Sequence, residues 1–260
     1  MIHNTPKTSS IEKALGILMA FTPHNHQMGT VELSQKLNLH PATVNRILKI
    51  LSRKEFLRQD DRTRKFTLGT SVFNLARTIF HSLSGNLLNV AVPYLENLCE
   101  MVGETVVMEV MSNKSSIVAY VEQGRRGLSI GPNVGDIVPN HAAAGAKAMI
   151  AFHDPKDIDS FLGKQFRRFT EKTITDPQIL RRELKQVRKH GVAFCREEME
   201  TGFNAIGAPV FNHDNKPVAA VVVAGLIGRV KCDTDSAMTR ALKETTTKIS
   251  NKIFYSEHNT

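Results

Sequence analysis

The sequence predicts an α+β chain of two domains: a small helical head closed by a β-hairpin, and a larger body of strand pairs with helices around them. Three observations lead there. Apolar residues recur at helical spacing through residues 11–51 and then give way to two short strand-like segments. Positive charge is concentrated in the head. Residues 1–80 hold 12 Lys/Arg against 5 Asp/Glu, a net of +7, whereas residues 81–260 hold 22 against 20, a net of +2. Finally, 260 residues fit two domains comfortably.

The bulk properties exclude several classes. A chain 41% hydrophobic and 23% charged is too apolar for disorder. No run approaches 18 apolar residues, and MIHNTPKTSS lacks the apolar core of a signal peptide, so a cytoplasmic chain with no membrane partner is expected. Cys99, Cys195 and Cys232 are odd in number and widely spaced, which fits neither a disulfide framework nor a zinc ribbon. A basic head on a near-neutral body points to a polyanion partner for the head alone.

The head reads in order. Ser9 and Glu12 form a capping-box start, and Ile11, Ala14, Leu15, Leu18 and Phe21 follow at helical spacing. The polar stretch Pro23–Gln27 ends that helix. Thr30 caps a second, short helix through Leu37, Asn38–His40 turns the chain, and Pro41 opens a third. There Val44, Ile47, Leu48 and Leu51 face inward, leaving Thr43, Asn45, Arg46, Lys49 and Arg53 outside. Two short helices joined by a tight turn, the second polar and basic near its start, describe a helix-turn-helix. Its second helix enters the major groove of double-stranded DNA. Alone, such a face describes a solvated helix better. The next segment decides between them: Phe56–Gln59 and Lys65–Gly69 read as strands around a turn carrying Arg62, Arg64 and Lys65, a basic wing beside the recognition helix.

An apolar helical stretch from Thr70 to about Ser82 reads as linker and subunit surface. The expected division is 7–69 for the winged head, 70–84 for the linker helix and 85–258 for the body. In the body, a helix from about Asn86 to Val102 precedes a hairpin of Thr105–Met111 and Ile117–Glu122. A short strand at Leu128–Ile130, an Ala/Gly-rich helix at His141–Phe152 and a short helix from Asp154-Pro155 come next. A longer helix from Asp176-Pro177 to Gly191 then precedes strands Ala205–Phe211 and Val218–Ala224. A final helix runs from Asp235 to Phe254.

Together these segments resemble the IclR family of transcriptional regulators nearly end to end. The resemblance rests on residues 40–48, Phe66–Gly69, Gly103–Val106, Pro139–Ala142, Lys147-Ala148, Glu197-Glu198, Gly202, Ala208–Val210, and Ala219-Ala220 before Gly225. It implies a winged helix-turn-helix followed by a GAF-like α/β effector-binding domain. It further implies homodimers or dimers of dimers on a pseudo-palindromic operator, and control of a catabolic operon, with repression favoured over activation. The DNA-binding set is then Thr30, Pro41, Ala42, Thr43, Asn45, Arg46, Lys49, Arg62, Arg64 and Lys65. The effector set is Ile130, Val138, His141, Ala144, Gly145, Cys195, Phe203, Ala205, Val222 and Ala224.

In the resemblance, an effector carboxylate sits at the N-terminus of the Ala/Gly helix. Ala205, Val222, Ala224 and Ala143 stand where acid-binding members carry hydroxyl or thiol groups, and Ala146 where they carry Gly. The expected ligand is therefore a larger, partly apolar or aromatic acid. A catalytic alternative pairs Cys195 with His141 and Glu197 or Glu198, but no nucleophile motif surrounds the cysteine. No phosphate-binding glycine motif occurs, and His24, His26, His141, His153 and Cys195 lack zinc spacing, so neither cofactor nor metal is expected.

Overall fold

The computed structural model describes residues 9–21, 25–75, 87–125, 131–163 and 165–257, with side chains of the last helix described up to Ile253. The chain divides into two compact units, Met1–Ser82 and Leu83–Thr260. Among the described residues no helix is long and apolar enough to cross a membrane.

In the first unit α1 (Ser10–Met19), α2 (Thr30–Leu37) and α3 (Pro41–Arg53) precede the antiparallel pair β1 (Leu57–Gln59) and β2 (Phe66–Leu68). Ile17, Leu33, Val44, Leu48, Leu57 and Phe66 form one buried cluster, so each element gives its apolar stripe to the same core. Ser9 and Glu12 close the capping box on α1. The cap expected from Thr30 falls elsewhere. Gly29 is the N-cap of α2, and the Glu32 carboxylate accepts the Gly29 N–H at 2.6 Å, which makes Thr30 the first helical residue. His40 caps α3 through its ring Nδ1, which accepts the Ala42 N–H at 3.2 Å. Residues 70–75 are helical; the rest of the expected linker helix lies outside the described residues.

The second unit holds α4 (Leu87–Val102), β3 (Thr105–Ser112), β4 (Ser115–Glu122), β5 (Ile137–Val138), α5 (Ala144–Ile150) and α6 (Ile158–Leu162). It continues with α7 (Pro177–His190), β6 (Ala193–Arg196), β7 (Phe203–Phe211), β8 (Pro217–Leu226) and α8 (Ala237–Glu257). Among the described residues its six strands form one antiparallel sheet in the order β5-β4-β3-β8-β7-β6. Side-chain alternation gives the sheet two working faces. Val106, Met108, Ile206, Val221 and Val223 pack under α4 and α8. Val107, Cys195 and Val222 turn to the opposite face, toward the start of α5.

The Ala/Gly helix is shorter than its composition suggests. Ala142 and Ala143 donate to the Pro139 carbonyl, so 140–142 form a turn and the helix begins at Ala144. Strands β5 and β6 go beyond the sequence expectation; both are short and flanked by loop residues. The strand expected at Leu128–Ile130 lies outside the described residues.

Helix α5 approaches the sheet closely because β7 offers it a glycine. A Cβ on Gly207 would sit 2.6 Å from the Ala144 carbonyl carbon and oxygen, which are backbone atoms that cannot swing aside. Gly207→Ala should therefore cost on the order of 1–3 kcal/mol of stability. Tyr94, Tyr120 and Tyr255 all belong to the second unit and the chain has no Trp, so tyrosine fluorescence in urea reads that unit selectively. An unshifted midpoint would show that α5 has room to lift.

Candidate DNA-reading face and ligand cavity

On α3 the burial pattern separates two faces. Val44, Ile47, Leu48 and Leu51 are buried, whereas Pro41, Ala42, Asn45, Arg46 and Lys49 are exposed and Thr43 lies half-buried on the border. Positions 41, 42, 45, 46 and 49 follow the helical repeat, so they form one continuous stripe. It carries two cations, an amide and small residues, the groups that reach base edges and phosphates. Thr30 is half-buried at the start of α2.

The wing turn is held by Asp60, whose carboxylate accepts the N–H groups of Arg62 at 3.0 Å and Thr63 at 2.7 Å. Arg64 adopts φ +58°, which tightens the turn, and Arg62 and Arg64 are exposed. Lys65 instead makes a 3.0 Å ion pair with Glu32 of α2. Both side chains are partly exposed, so the pair is weak.

In the second unit, seven of the expected ligand positions line one cavity of about 400 Å³: Val138, Ala144, Cys195, Phe203, Ala205, Val222 and Ala224. The sheet supplies the floor, since Val107 pairs with Val222 and Ala205 with Ala224, and Cys195 lies opposite Ala205. Asp136, Ile137, Met199 and Glu200 are exposed at its mouth. A broader groove of about 710 Å³ along α7 and β6 contains none of the expected residues. Ile130 lies outside the described residues.

Two expected residues stand apart from the lining. The His141 ring stacks on Phe166 and Phe169 at 5.0 and 5.9 Å, with Nε2 2.9 Å from the Arg167 carbonyl oxygen. Burial pushes its pKa below the usual histidine value. It fastens the 165–173 segment instead of facing the cavity. Gly145 lies behind the wall, where a Cβ would sit 2.5 Å from the Glu109 carboxyl.

Glu109 itself was missed by the sequence reading. It projects from β3 into the cavity lining and is 4% exposed. Its carboxylate accepts the Ser116 hydroxyl at 2.8 Å and lies against the start of α5, beside Gly145 and Ala146. The end of α5 expected to receive an effector carboxylate is thus already met by a carboxylate of the chain itself. Burial raises Glu109 to about 7, partly offset by the Ser116 hydroxyl and the nearby Ala146 N–H. Nearby, Lys147 is completely buried and donates to Glu183 at 2.5 Å and Glu198 at 2.7 Å. That network ties α5 to α7 and to the loop carrying Met199 and Glu200.

The family model described as IclR helix-turn-helix domain matches residues 10–61, and the model of the bacterial transcriptional regulator IclR C-terminal domain matches residues 81–251. The chain belongs to the IclR family. The transcriptional repressor IclR of Escherichia coli is 28% identical over 232 residues, covering 88% of this chain and 84% of that protein. The Thermotoga maritima IclR structure superposes with a TM-score of 0.78 at 24% identity, covering 94% of this chain and 98% of that one. An IclR homologue from Microbacterium hydrocarbonoxydans, solved with 4-hydroxybenzoate, gives 0.80 at 20% identity over 94% and 99%.

The IclR relatives are named regulators and this chain is not an enzyme. Its geometry agrees. Burial pushes the Cys195 thiol up to about 11, so it stays protonated near neutrality. The candidate base, His141, is engaged with Arg167 and two phenylalanines, Glu198 with Lys147, and Glu197 with Lys172.

Glu109 gives this IclR-family body a pH signature. The folded chain keeps the proton up to about pH 7, whereas an ordinary carboxyl at 4.5 releases it earlier. The group's contribution is fully present below about pH 4.5 and is lost as pH rises toward 7. Glu109→Gln is neutral throughout. Its stability relative to the parent chain, from urea midpoints, should rise between pH 5 and 8 by at most about 3 kcal/mol. A difference independent of pH would mean that water reaches the carboxylate freely.

Proposed function

We propose that this chain is an effector-responsive repressor, acting in the cytoplasm as a homodimer or dimer of dimers, that controls a catabolic operon near its own gene. The observation that carries this reading is the presence, in one chain, of a solvent-facing basic stripe on α3 and a largely apolar cavity in the other unit. Asn45 and Arg46 are assigned to base edges, Lys49, Arg62, Arg64 and Lys65 to phosphates, and Thr30, Pro41, Ala42 and Thr43 to close backbone approach. Repression is favoured by the name of the E. coli relative. A small organic effector is supported by the cavity's size and by the aromatic acid in the Microbacterium structure.

Self-association is supported by α1. Ile11, Leu15 and Met19 recur four residues apart and are 73%, 53% and 79% exposed, an apolar stripe that a second subunit would cover.

Footprinting of the intact chain on DNA flanking its gene tests the reading. A pseudo-palindrome protected at moderate salt, with half-sites one or two turns apart, is the expected result. Arg46→Ala should weaken binding to that site by roughly 1–3 kcal/mol, while Arg64→Ala should lower the salt slope by about one and affect random DNA equally. Equal losses on specific and random DNA for both variants would remove Arg46 from base reading. Absence of any protected segment would overturn the assignment.

A further inference from the structure

The cavity contains a buried carboxylate that lacks a cationic partner among the described residues. Glu109 forms no ion pair there with any Lys, Arg or His; its hydrogen-bond partner among the described residues is the Ser116 hydroxyl. The neighbouring buried ammonium, Lys147, is fully engaged with Glu183 and Glu198. Among the described residues the other charged side chains on the lining are Asp136 and Glu200, both acidic and both at the mouth. No described basic side chain lines the cavity, and the remaining walls are mostly apolar.

This distribution selects by charge. An entering anion must shed water, passes the acidic side chains at the mouth and finds no cation among the described lining residues. A cation is drawn in by the acids at the mouth and, by favouring the ionised form of Glu109, supplies the partner that Glu109 lacks. Gly145 is part of the arrangement, because any side chain there would push the Glu109 carboxyl away from α5.

We propose that the effector of this chain presents a cationic amino group to Glu109 from an apolar body that fits the cavity of about 400 Å³. The proposal rests on this cavity being the effector site and changes the ligand class from an acid to an amine. The raised proton affinity of Glu109 supports it, since an ammonium at contact distance stabilises the ionised carboxylate that burial otherwise disfavours.

Isothermal titration of the full-length chain with benzylamine, benzyl alcohol and benzoate tests it, because the three share a ring and differ in charge. Benzylamine should bind at least about tenfold tighter than the alcohol, with benzoate weakest. Glu109→Gln should abolish the preference of amine over alcohol. Glu200→Lys, at the exposed mouth, should move the amine-to-benzoate ratio toward benzoate by several-fold at low salt and serves if the Glu109→Gln variant does not fold. Benzoate binding as tightly as benzylamine, no benzylamine binding at millimolar concentration, or a ratio unmoved by the substitution used would overturn the proposal. Operator anisotropy on the same samples separates the two readings. Benzylamine bound without any change in operator affinity removes the effector role and keeps the charge assignment. Benzoate bound in its place with such a change does the reverse.

Discussion

Helix α5 lies against the sheet only because Gly207 offers no side chain beneath Ala144. Everything that shapes the cavity follows from that close seating. It brings the Ala146 N–H to Glu109, sets Gly145 against the carboxyl, and buries Lys147 where Glu183 and Glu198 can reach it. A buried ammonium is tolerated there because two carboxylates compensate its lost hydration, and removing one would leave a charge stranded. The same network anchors the loop bearing Met199 and Glu200, so one wall of the mouth is fixed by groups that never face the cavity.

The head solves a different problem with few parts. Its core is small, and the N-termini of its first three helices are closed by local groups: Ser9 and Glu12 on α1, Glu32 on α2, His40 on α3. Those caps satisfy amides that would otherwise be lost to water and fix where each helix begins. With the start of α3 fixed and its buried stripe seated, the stripe of Asn45, Arg46 and Lys49 faces solvent.

The head was more legible in the sequence than the cavity, for physical reasons. Helix periodicity, capping residues and a hairpin turn are local signals, and they placed α1, α3 and the wing from sequence alone. Thr30 was misassigned because a Thr before an apolar run resembles a cap, whereas Glu32 reaches back to Gly29 one residue earlier. In the second unit, strands β5 and β6 are too short to show a period, and they form only because β4 and β7 are there to pair with. The resemblance located the apolar walls but included His141, which the structure turns toward Phe166 and Phe169. Glu109 had a readable signal, a single charge inside the apolar run Val106–Met111. Its partner Ser116 lies across the hairpin, and its neighbour Gly145 lies 36 positions along the chain. Such a residue is conspicuous in sequence and interpretable only in three dimensions.

A DNA-reading head and a ligand-sensing cavity make a regulator only if the two exchange free energy, and that exchange is the central claim. Thermodynamic linkage makes it reciprocal: a ligand that changes operator affinity by some factor must have its own affinity changed by the same factor when operator is bound. The direct measurement is ligand affinity by titration, on the free full-length chain and on the chain saturated with its operator, compared with operator affinity at zero and saturating ligand. Equal factors of about 5 to 150, with ligand binding weaker on the operator complex, are the predicted result. Ligand affinity identical in the two states would contradict the claim.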